Sequence, residues 1–154
     1  MKIEEEVKSN FRNDYQKLVV NLYLTYTRIN EPFHELLKEY GVTATQFNVL
    51  RILRGQKQNP ASIGLIKERM IERNSDVSRI IDRLLKKKLI ERSENKMDRR
   101  QKDIIISQQG LDLLAVIMEK DEKLDAVFKH VSVDEVNIMN DLLDKLRDSP
   151  LLKD

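Results

Sequence analysis

Apolar side chains recur at helical intervals along most of the chain. Between residues 10 and 30 they follow steps of three and four residues, a pattern typical of a long amphipathic helix. These side chains are Phe11, Tyr15, Leu18, Val19, Leu22, Tyr23, Tyr26 and Ile29. Pro32 interrupts the pattern, so we expect the first helix to end there. A short helix from Phe33 to Tyr40 is expected to follow, stopped by Gly41.

Three further helices are predicted in the middle of the chain. The first is capped by Thr43 or Thr45, the second by Ser62, and the third by Asn74 or Ser75. The third helix has the sharpest pattern, with apolar residues at positions i, i+3, i+4, i+7 and i+8. They are Val77, Ile80, Ile81, Leu84 and Leu85. Polar and charged side chains are therefore left on the outward face of this helix.

Two short strands, at residues 89–92 and 103–107, are predicted to form a hairpin around a polar tip. A helical region opened by Gly110 follows, and a final helix is capped by Ser132 or Asp134. The predicted fold class is thus mainly α with a small β-hairpin. A charged helix followed by a hairpin is the order of a winged helix-turn-helix.

The expected organisation is one chain with a DNA-binding lobe between dimerisation helices. The lobe covers residues 40–108, with a recognition helix at about 75–88 and a wing at about 89–107. Helices at 10–32 and 110–148 flank this lobe, and the apolar stripe of the first is the expected contact between two copies. The apolar stripe of residues 10–30 could instead pack on its own subunit, but its length favours an interface between copies.

Charge is unevenly distributed over the 154 residues. The segment from Lys67 to Lys102 holds 13 basic and 7 acidic residues, a local net charge of +6, and the rest of the chain has a net charge of −4. This asymmetry favours an anionic partner that binds the middle third of the chain. A plainer interpretation, that the cations of an amphipathic surface helix are merely solvated, loses weight once the arginines of the hairpin are considered.

Composition excludes several classes of site. The chain has no cysteine, which removes disulfides, zinc–thiolate sites and thiol redox sensing. His34 and His130 lie far apart without histidine or cysteine companions, so we expect no metal site and no cofactor. No run of 18 apolar residues and no secretory signal are present, which favours a cytoplasmic protein without a membrane span. The sequence also lacks the common phosphate-binding, zinc-protease and nucleophile motifs, so we expect no enzyme.

The predicted recognition helix has the chemistry that base reading requires. A helix fits the major groove, where short polar side chains near its start and cations further along reach bases and phosphates. The expected DNA contacts are Ser62, Asn74, Ser75, Asp76, Ser78, Arg79, Arg83, Lys86, Arg99 and Arg100. Lys87 is expected at a phosphate, and Lys96 and Lys102 flank the hairpin tip. Asp98 is interpreted as an intramolecular partner that orients one of the two tip arginines.

Four stretches of the chain closely resemble the MarR family of bacterial transcriptional regulators. They are TATQFNVLRIL, SIGLIKERM, SDVSRIIDRLLKKKLIERS and DRRQKDIIISQQG, and the resemblance covers at least residues 43–111. It implies that residues 10–30 and the two C-terminal helices interleave with a second subunit. The homodimer would then bind a pseudo-palindromic site in double-stranded DNA, usually as a repressor.

The resemblance also carries residue roles and one departure. Ser75, Asp76, Ser78, Arg79 and Arg83 match base-reading and phosphate positions, and Arg99 and Arg100 match the wing arginines. It implies a small-molecule effector crevice with four candidate residues, for which ordinary packing is an equal alternative. They are Tyr26, Ile29, Phe33 and His34. The family often has glycine at the position of Lys88, where a left-handed lysine would be strained by about 1–2 kcal/mol.

A regulator is not the sole protein class that fits these residues. The alternative is a dimeric adaptor or architectural DNA-binding protein without ligand sensing. The cations at 79, 83, 99 and 100 argue against an adaptor that has lost DNA binding, because such a protein would have no need to keep them.

Overall fold

The computed structural model describes residues 2–72, 75–95 and 102–152, except for the side chains of residues 121–124. The chain divides into two compact units, Met1–Asp121 and Glu122–Asp154. The first unit contains α1 (Ile3–Val7), α2 (Asp14–Glu39), α3 (Ala44–Gly55), α4 (Ile63–Arg69), α5 (Val77–Lys86), β1 (Ile90–Glu94), β2 (Lys102–Ile106) and α6 (Gln108–Asp121). The second contains a 3₁₀ segment (Glu122–Phe128), α7 (Val133–Arg147) and a 3₁₀ turn (Pro150–Leu152).

Helix α2 passes through Pro32 without interruption, so the predicted break at this proline is wrong. Asn13 caps the helix, and its side chain accepts a hydrogen bond from the Gln16 N–H at 2.9 Å. Proline removes one backbone donor, but its fixed φ is compatible with a helix. The turn after Pro32 is held in place because it buries Leu36 and Leu37 in the core of the first unit.

Gly41 ends α2, as predicted, and turns the chain toward α3. Its φ is +65°, and its N–H donates to the Lys38 carbonyl at 3.0 Å. The N–H of Val42 reaches back to the Leu37 carbonyl at 3.0 Å. This pair of bonds is a Schellman motif, in which glycine is favoured because it adopts positive φ without strain. Thr43 then caps α3, which confirms one of the two predicted caps.

A single apolar core holds α3, α4, α5, α6 and the hairpin together. Its most deeply buried side chains come from every one of these elements and from the end of α2. They are Leu37, Val49, Leu50, Leu53, Ile66, Ile81, Leu84, Ile104, Leu114 and Ile117. The core therefore fixes α5 and the hairpin on one body, in the winged helix-turn-helix arrangement that the sequence predicts.

The hairpin is anchored to the start of α4. Strands β1 and β2 pair antiparallel, with Ile90 opposite Ile106 and Glu94 opposite Lys102. The observed bounds of each strand thus differ from the predicted bounds by one or two residues. On its other edge, β2 exchanges two backbone hydrogen bonds of 2.9 Å between Ile104 and the fully buried Ala61. Ala61 directly precedes Ser62, the cap of α4, so these two hydrogen bonds join the hairpin to the start of α4.

Ser107 joins the end of the hairpin to α6. Its hydroxyl oxygen accepts from the Gly110 N–H at 3.1 Å and its O–H donates to the Lys88 carbonyl at 2.7 Å. A Cβ at Gly110 would overlap the Leu89 carbonyl oxygen and lie 2.8 Å from the Ile106 side chain. Helix α6 therefore begins two residues before the predicted start, because Ser107 supplies the cap.

Helix α1, which the sequence analysis did not predict, lies on α2. Ile3 is buried, Glu4 accepts from the Lys17 ammonium at 2.6 Å, and Glu6 forms an ion pair with Arg28. The hydrogen bond from Lys17 lowers the pKa of the Glu4 carboxyl below its ordinary value. The same bond raises the pKa of Lys17.

Helix α7 in the second unit is amphipathic and buries no residue in the described chain. Ser132 caps it, which confirms one of the two predicted caps, and the Ser132 N–H donates to Glu135 at 2.8 Å. This bond lowers the pKa of Glu135. Its exposed apolar residues are Val133, Ile138, Met139, Leu142 and Leu146. Among the helices of the described residues, none is long and apolar enough to cross a membrane.

Candidate nucleic-acid interface

Helix α5 places a row of polar side chains on the surface of the lobe. Its buried side consists of Val77, Ile81 and Leu84, and Ile80 and Leu85 are half-buried. The opposite side carries exposed residues at helical spacing. These residues are Ser78, Arg79, Asp82, Arg83 and Lys86. The helix runs over residues 77–86, two residues shorter at each end than the predicted recognition helix.

Asp76 caps α5, so the predicted cap at Asn74 or Ser75 is wrong. The Asp76 carboxylate accepts from the Arg79 N–H at 3.2 Å, and its second oxygen lies 4.0 Å from the Arg79 side chain. A carboxylate at this position also interacts favourably with the positive end of the helix dipole. Asp76 thus orients Arg79, whose side chain keeps 73% of its surface exposed.

The start of α5 meets the start of α3 in a shallow depression of about 240 Å³. Its lining brings together four residues that the sequence predicted as DNA contacts. They are Ser75, Asp76, Arg79 and Arg83. Thr45 and Ile80 complete the lining. Within the described residues, Arg83 and Lys86 have no ion-pair partner, so both cations are available to an anion.

The remaining polar residues predicted to contact DNA differ in their hydrogen bonds and exposure. Ser62 caps α4 and accepts from the Leu65 N–H at 3.1 Å. The hydroxyl of Ser75 donates to the Glu72 carboxylate at 3.3 Å. Ser78 is exposed on the outward face of α5. Asn74 lies outside the described residues.

Lys87 is exposed like the cations on the outward face of α5, but its ammonium has partners within the lobe. Its ammonium donates to the Gly41 carbonyl and lies 3.4 Å from the Gln46 side-chain oxygen. Both acceptors lie more than 40 residues earlier in the chain. Local sequence spacing gave no signal for this contact.

The base of the wing is tied to α5 by a pair that the sequence analysis missed. Arg92 on β1 forms a hydrogen-bonded ion pair of 3.4 Å with Asp82 on α5. Glu94 and Lys102 pair across the two strands at 2.9 Å. Such exposed pairs contribute at most about 1 kcal/mol each, and the antiparallel pairing of β1 and β2 positions the strands that lead to the tip. The predicted tip residues Lys96, Asp98, Arg99 and Arg100 lie outside the described residues.

The four predicted effector residues do not form one cavity within the described chain. Tyr26 is exposed, Ile29 is half-buried, and Phe33 packs edge-to-face on Phe47 with ring centres 5.2 Å apart. His34 lines a cavity of about 580 Å³ beside the α2–α3 turn. A second cavity of about 690 Å³ lies between the end of α2, the end of α5 and α6. It is lined by Tyr40, Gly41, Lys87, Leu89, Gln109, Asp112, Leu113 and Val116.

The described residues contain no group of three or more metal-ligating side chains placed to hold an ion. The outward face of α5 presents exposed guanidinium and ammonium groups. Forked guanidinium groups bind phosphates and the edge of guanine through paired hydrogen bonds.

Comparisons with known proteins agree with this geometry. Residues 42–102 match the MarR family model. The regulator MhqR of Bacillus subtilis is 24% identical over 131 residues, which cover 84% of this chain and 89% of that protein. The structure of Bordetella bronchiseptica BpsR, described as regulated in DNA binding by 6-hydroxynicotinic acid, has a TM-score of 0.73. It is 25% identical and covers 86% of this chain and 99% of its own.

A mutant of Escherichia coli MarR complexed with operator DNA has the same fold. The two structures give a TM-score of 0.75 at 23% identity, over 90% of this chain and 99% of the other. The described relatives are transcriptional regulators, which confirms the expectation of a regulator in place of an enzyme. The chain is thus similar to the MarR family over residues 42–102, and to a protein named as a transcriptional regulator over most of its length.

Proposed function

We propose that this regulator binds a specific pseudo-palindromic site in double-stranded DNA as a homodimer and represses transcription until a small molecule releases it. The observation that carries the proposal is the outward face of α5. There Arg79 is exposed and oriented by Asp76, and Arg83 and Lys86 have no ion-pair partner among the described residues. The opposite face of α5 is anchored in the core, so these cations are presented rigidly.

Each α5 residue has a distinct role in this proposal. Arg79 and Arg83 lie four residues apart on one face and read bases in the major groove. Lys86 contacts a phosphate, and Ser62 and Ser75 bind the DNA backbone near the helix starts. Arg99 and Arg100 at the tip of the wing enter the neighbouring minor groove, where narrow regions concentrate negative potential.

The homodimer is supported by an apolar surface on α2 that nothing in the described chain covers. Tyr15, Val19, Tyr23 and Tyr26 are each more than 60% exposed. Helical spacing puts them on the same side of α2 as Leu37, which is buried in the lobe. A second copy of the chain would continue this burial along the helix. The exposed apolar residues of α7 would add to the same interface.

The proposed mechanism follows from the geometry of B-form DNA. Two recognition helices must enter successive major grooves, about 34 Å apart, if both lobes are to bind at once. A ligand that binds between the dimer helices and the lobes would change this spacing. DNA binding would then be lost without any change within either recognition helix. Decisive control requires that the ligand prefer one spacing by several kcal/mol.

The proposal includes a small-molecule effector. It is supported by BpsR, whose DNA binding is regulated by 6-hydroxynicotinic acid and whose structure is similar to most of this chain. Tyr26, Ile29, Phe33 and His34 remain the predicted contacts, and His34 lines a cavity of about 580 Å³. The proposed location of the regulator is the cytoplasm.

Replacement of Arg83 by alanine tests the base-reading role of α5. We expect discrimination at one base pair of each half-site to fall by about 1–3 kcal/mol, because a bidentate contact to the base is lost. Binding to a set of operator variants, measured by fluorescence anisotropy, gives this value. Arg12→Ala removes an exposed arginine before α2 and should change nothing. If the affinity fell equally for all DNA sequences, Arg83 would contact a phosphate and not a base.

Replacement of Arg99 and Arg100 together by alanine tests the wing. The logarithm of the binding constant should depend less steeply on the logarithm of the salt concentration, by about one unit per lost contact. The measurement is a titration of the operator at several salt concentrations. An unaltered slope would show that the wing does not touch DNA.

A further inference from the structure

We infer that Lys87 is a positioning residue, which sets the placement of α5 relative to α2 and does not itself bind DNA. The inference rests on the proposed DNA-binding function. Lys87 is the C-cap residue of α5, and its ammonium donates to the carbonyl of Gly41, just past the end of α2. The same ammonium lies 3.4 Å from the Gln46 side-chain oxygen on α3. One side chain therefore connects three helices.

Both acceptors of Lys87 are held rigidly. Gly41 is fixed by the Schellman motif that ends α2. Gln46 is 3% exposed, and its side-chain oxygen also accepts from the Thr43 N–H at 3.2 Å. Because neither acceptor can move with the lysine, the contact restrains the position of α5 and not that of the α2–α3 turn. The cation also lies at the carboxyl end of α2, where positive charge is favourable.

The two neighbouring lysines provide an internal contrast. All three lysines are exposed, Lys86 on the outward face of α5, Lys87 at its C-cap and Lys88 at the turn after it. Neither side chain has a hydrogen-bond or ion-pair partner among the described residues. Three consecutive lysines thus look alike in sequence but differ in their contacts, and Lys87 alone of the three reaches the α2–α3 turn.

The contact has a consequence for a dimer that binds through two lobes. Helix α2 carries the exposed apolar stripe that we propose to face the second copy, and Lys87 connects its end directly to α5. The core holds the buried face of α5, so loss of the ammonium would relax only the C-terminal end of α5 relative to the dimer helices. The dimer would then tolerate operators whose half-sites are closer together or further apart than the preferred spacing.

Three operators with the preferred half-site spacing, one extra base pair or one fewer base pair provide the test. Lys87→Met keeps the apolar stem and removes the ammonium, and Lys86→Met is the matched control one residue earlier. For Lys87→Met we expect the affinity for the preferred operator to fall about two- to fivefold per subunit, as for the loss of one cation at a helix terminus. The preference over the altered spacings should shrink, and the salt slope should remain that of the wild type.

Lys86→Met should give the opposite pattern, with a smaller salt slope and an unchanged spacing preference. Lys87→Arg, which can still donate to both acceptors, should restore the spacing preference. The positioning role is overturned if Lys87→Met lowers the salt slope as Lys86→Met does, or if it leaves the spacing preference intact. Thermal unfolding of each variant excludes a folding defect, and Lys87→Gln serves as the second variant if Lys87→Met unfolds. A wild-type protein that prefers no operator would overturn the proposed function and this inference with it.

Discussion

Lys88 shows how one residue can hold a strained conformation at the end of α5. Its φ is +59°, in the left-handed region that favours glycine. Its N–H donates to the Leu85 carbonyl at 2.9 Å, and the Leu89 N–H donates to the Leu84 carbonyl at 3.1 Å. These two bonds form a Schellman motif, which buries Leu84 and Leu89 together. The geometry of the turn is retained although the residue is not glycine.

Lys88→Gly should therefore stabilise the protein by about 1 kcal/mol, because glycine adopts positive φ without strain. The free energy of unfolding from urea titration measures this gain. Lys86→Gly, at the last residue of α5, should instead destabilise by up to about 1 kcal/mol, because glycine has a low helix propensity. A loss of stability in Lys88→Gly would contradict the strain assigned to this position.

Local hydrogen bonds could be predicted from the sequence, whereas distant ones could not. The caps Thr43, Ser62 and Ser132 were predicted because the donor that each accepts lies three residues away. Asp76 was missed as a cap because several capping residues precede the apolar stripe of α5 and any of them could open the helix. The hydrogen bonds of Lys87 were missed because its acceptors come from another part of the fold.

At the scale of elements, the junction between the hairpin and α6 depends on close backbone approach. Ser107 bonds both Lys88 and Gly110, and the helix backbone at Gly110 meets the Leu89 carbonyl. This junction connects the end of α5 to α6. The backbones approach so closely there that no side chain would fit at Gly110. Because glycine fits here without overlap, Gly110 helps to hold the end of α5 in place.

Gly110→Ala should destabilise the protein by about 1–3 kcal/mol, the usual cost of an overpacked site. Gly55→Ala is the control, since a Cβ there meets nothing within 4 Å in the described structure. That substitution should leave stability unchanged or raise it by up to about 1 kcal/mol. The free energies of unfolding of both variants decide the matter. Equal stability of the two variants would contradict the close approach at Gly110.

Element types were predicted better than element boundaries. The helices, the hairpin and their order follow from hydrophobic periods that the core enforces. Pro32 was expected to end a helix, but burial of Leu36 and Leu37 maintains the helix beyond it. The bridge between Ala61 and Ile104 had no sequence signal, because a single pair of residues has no period to detect.

At the scale of the whole molecule, the protomer leaves apolar surface on α2 without a partner in the described chain. The exposed residues continue a helical face that is buried further along at Leu37. Sequence periodicity predicted this stripe, but it could not show which part the lobe covers. The structure separates the two parts, so assembly can be tested without disturbing the core.

Tyr23→Asp should give a folded monomer. Tyr23 is 72% exposed in the protomer, so its loss spares the core, but a carboxylate buried between two copies would be unpaired and costly. Sedimentation equilibrium should report 18.2 kDa for the variant and twice that mass for the wild type. Asn21→Asp adds the same charge at an exposed site on another face of α2 and should remain dimeric. A dimeric Tyr23→Asp variant would place the interface elsewhere.

The central claim, specific DNA binding by two linked lobes, is tested most directly by selection of bound fragments from genomic DNA with the purified protein. The account predicts a pseudo-palindrome whose half-site centres lie about 10–10.5 base pairs apart, or a multiple of that spacing. Arg83→Ala should lose preference within each half-site and keep the spacing. Salt-sensitive binding without any common motif would contradict the account and favour an architectural DNA-binding protein.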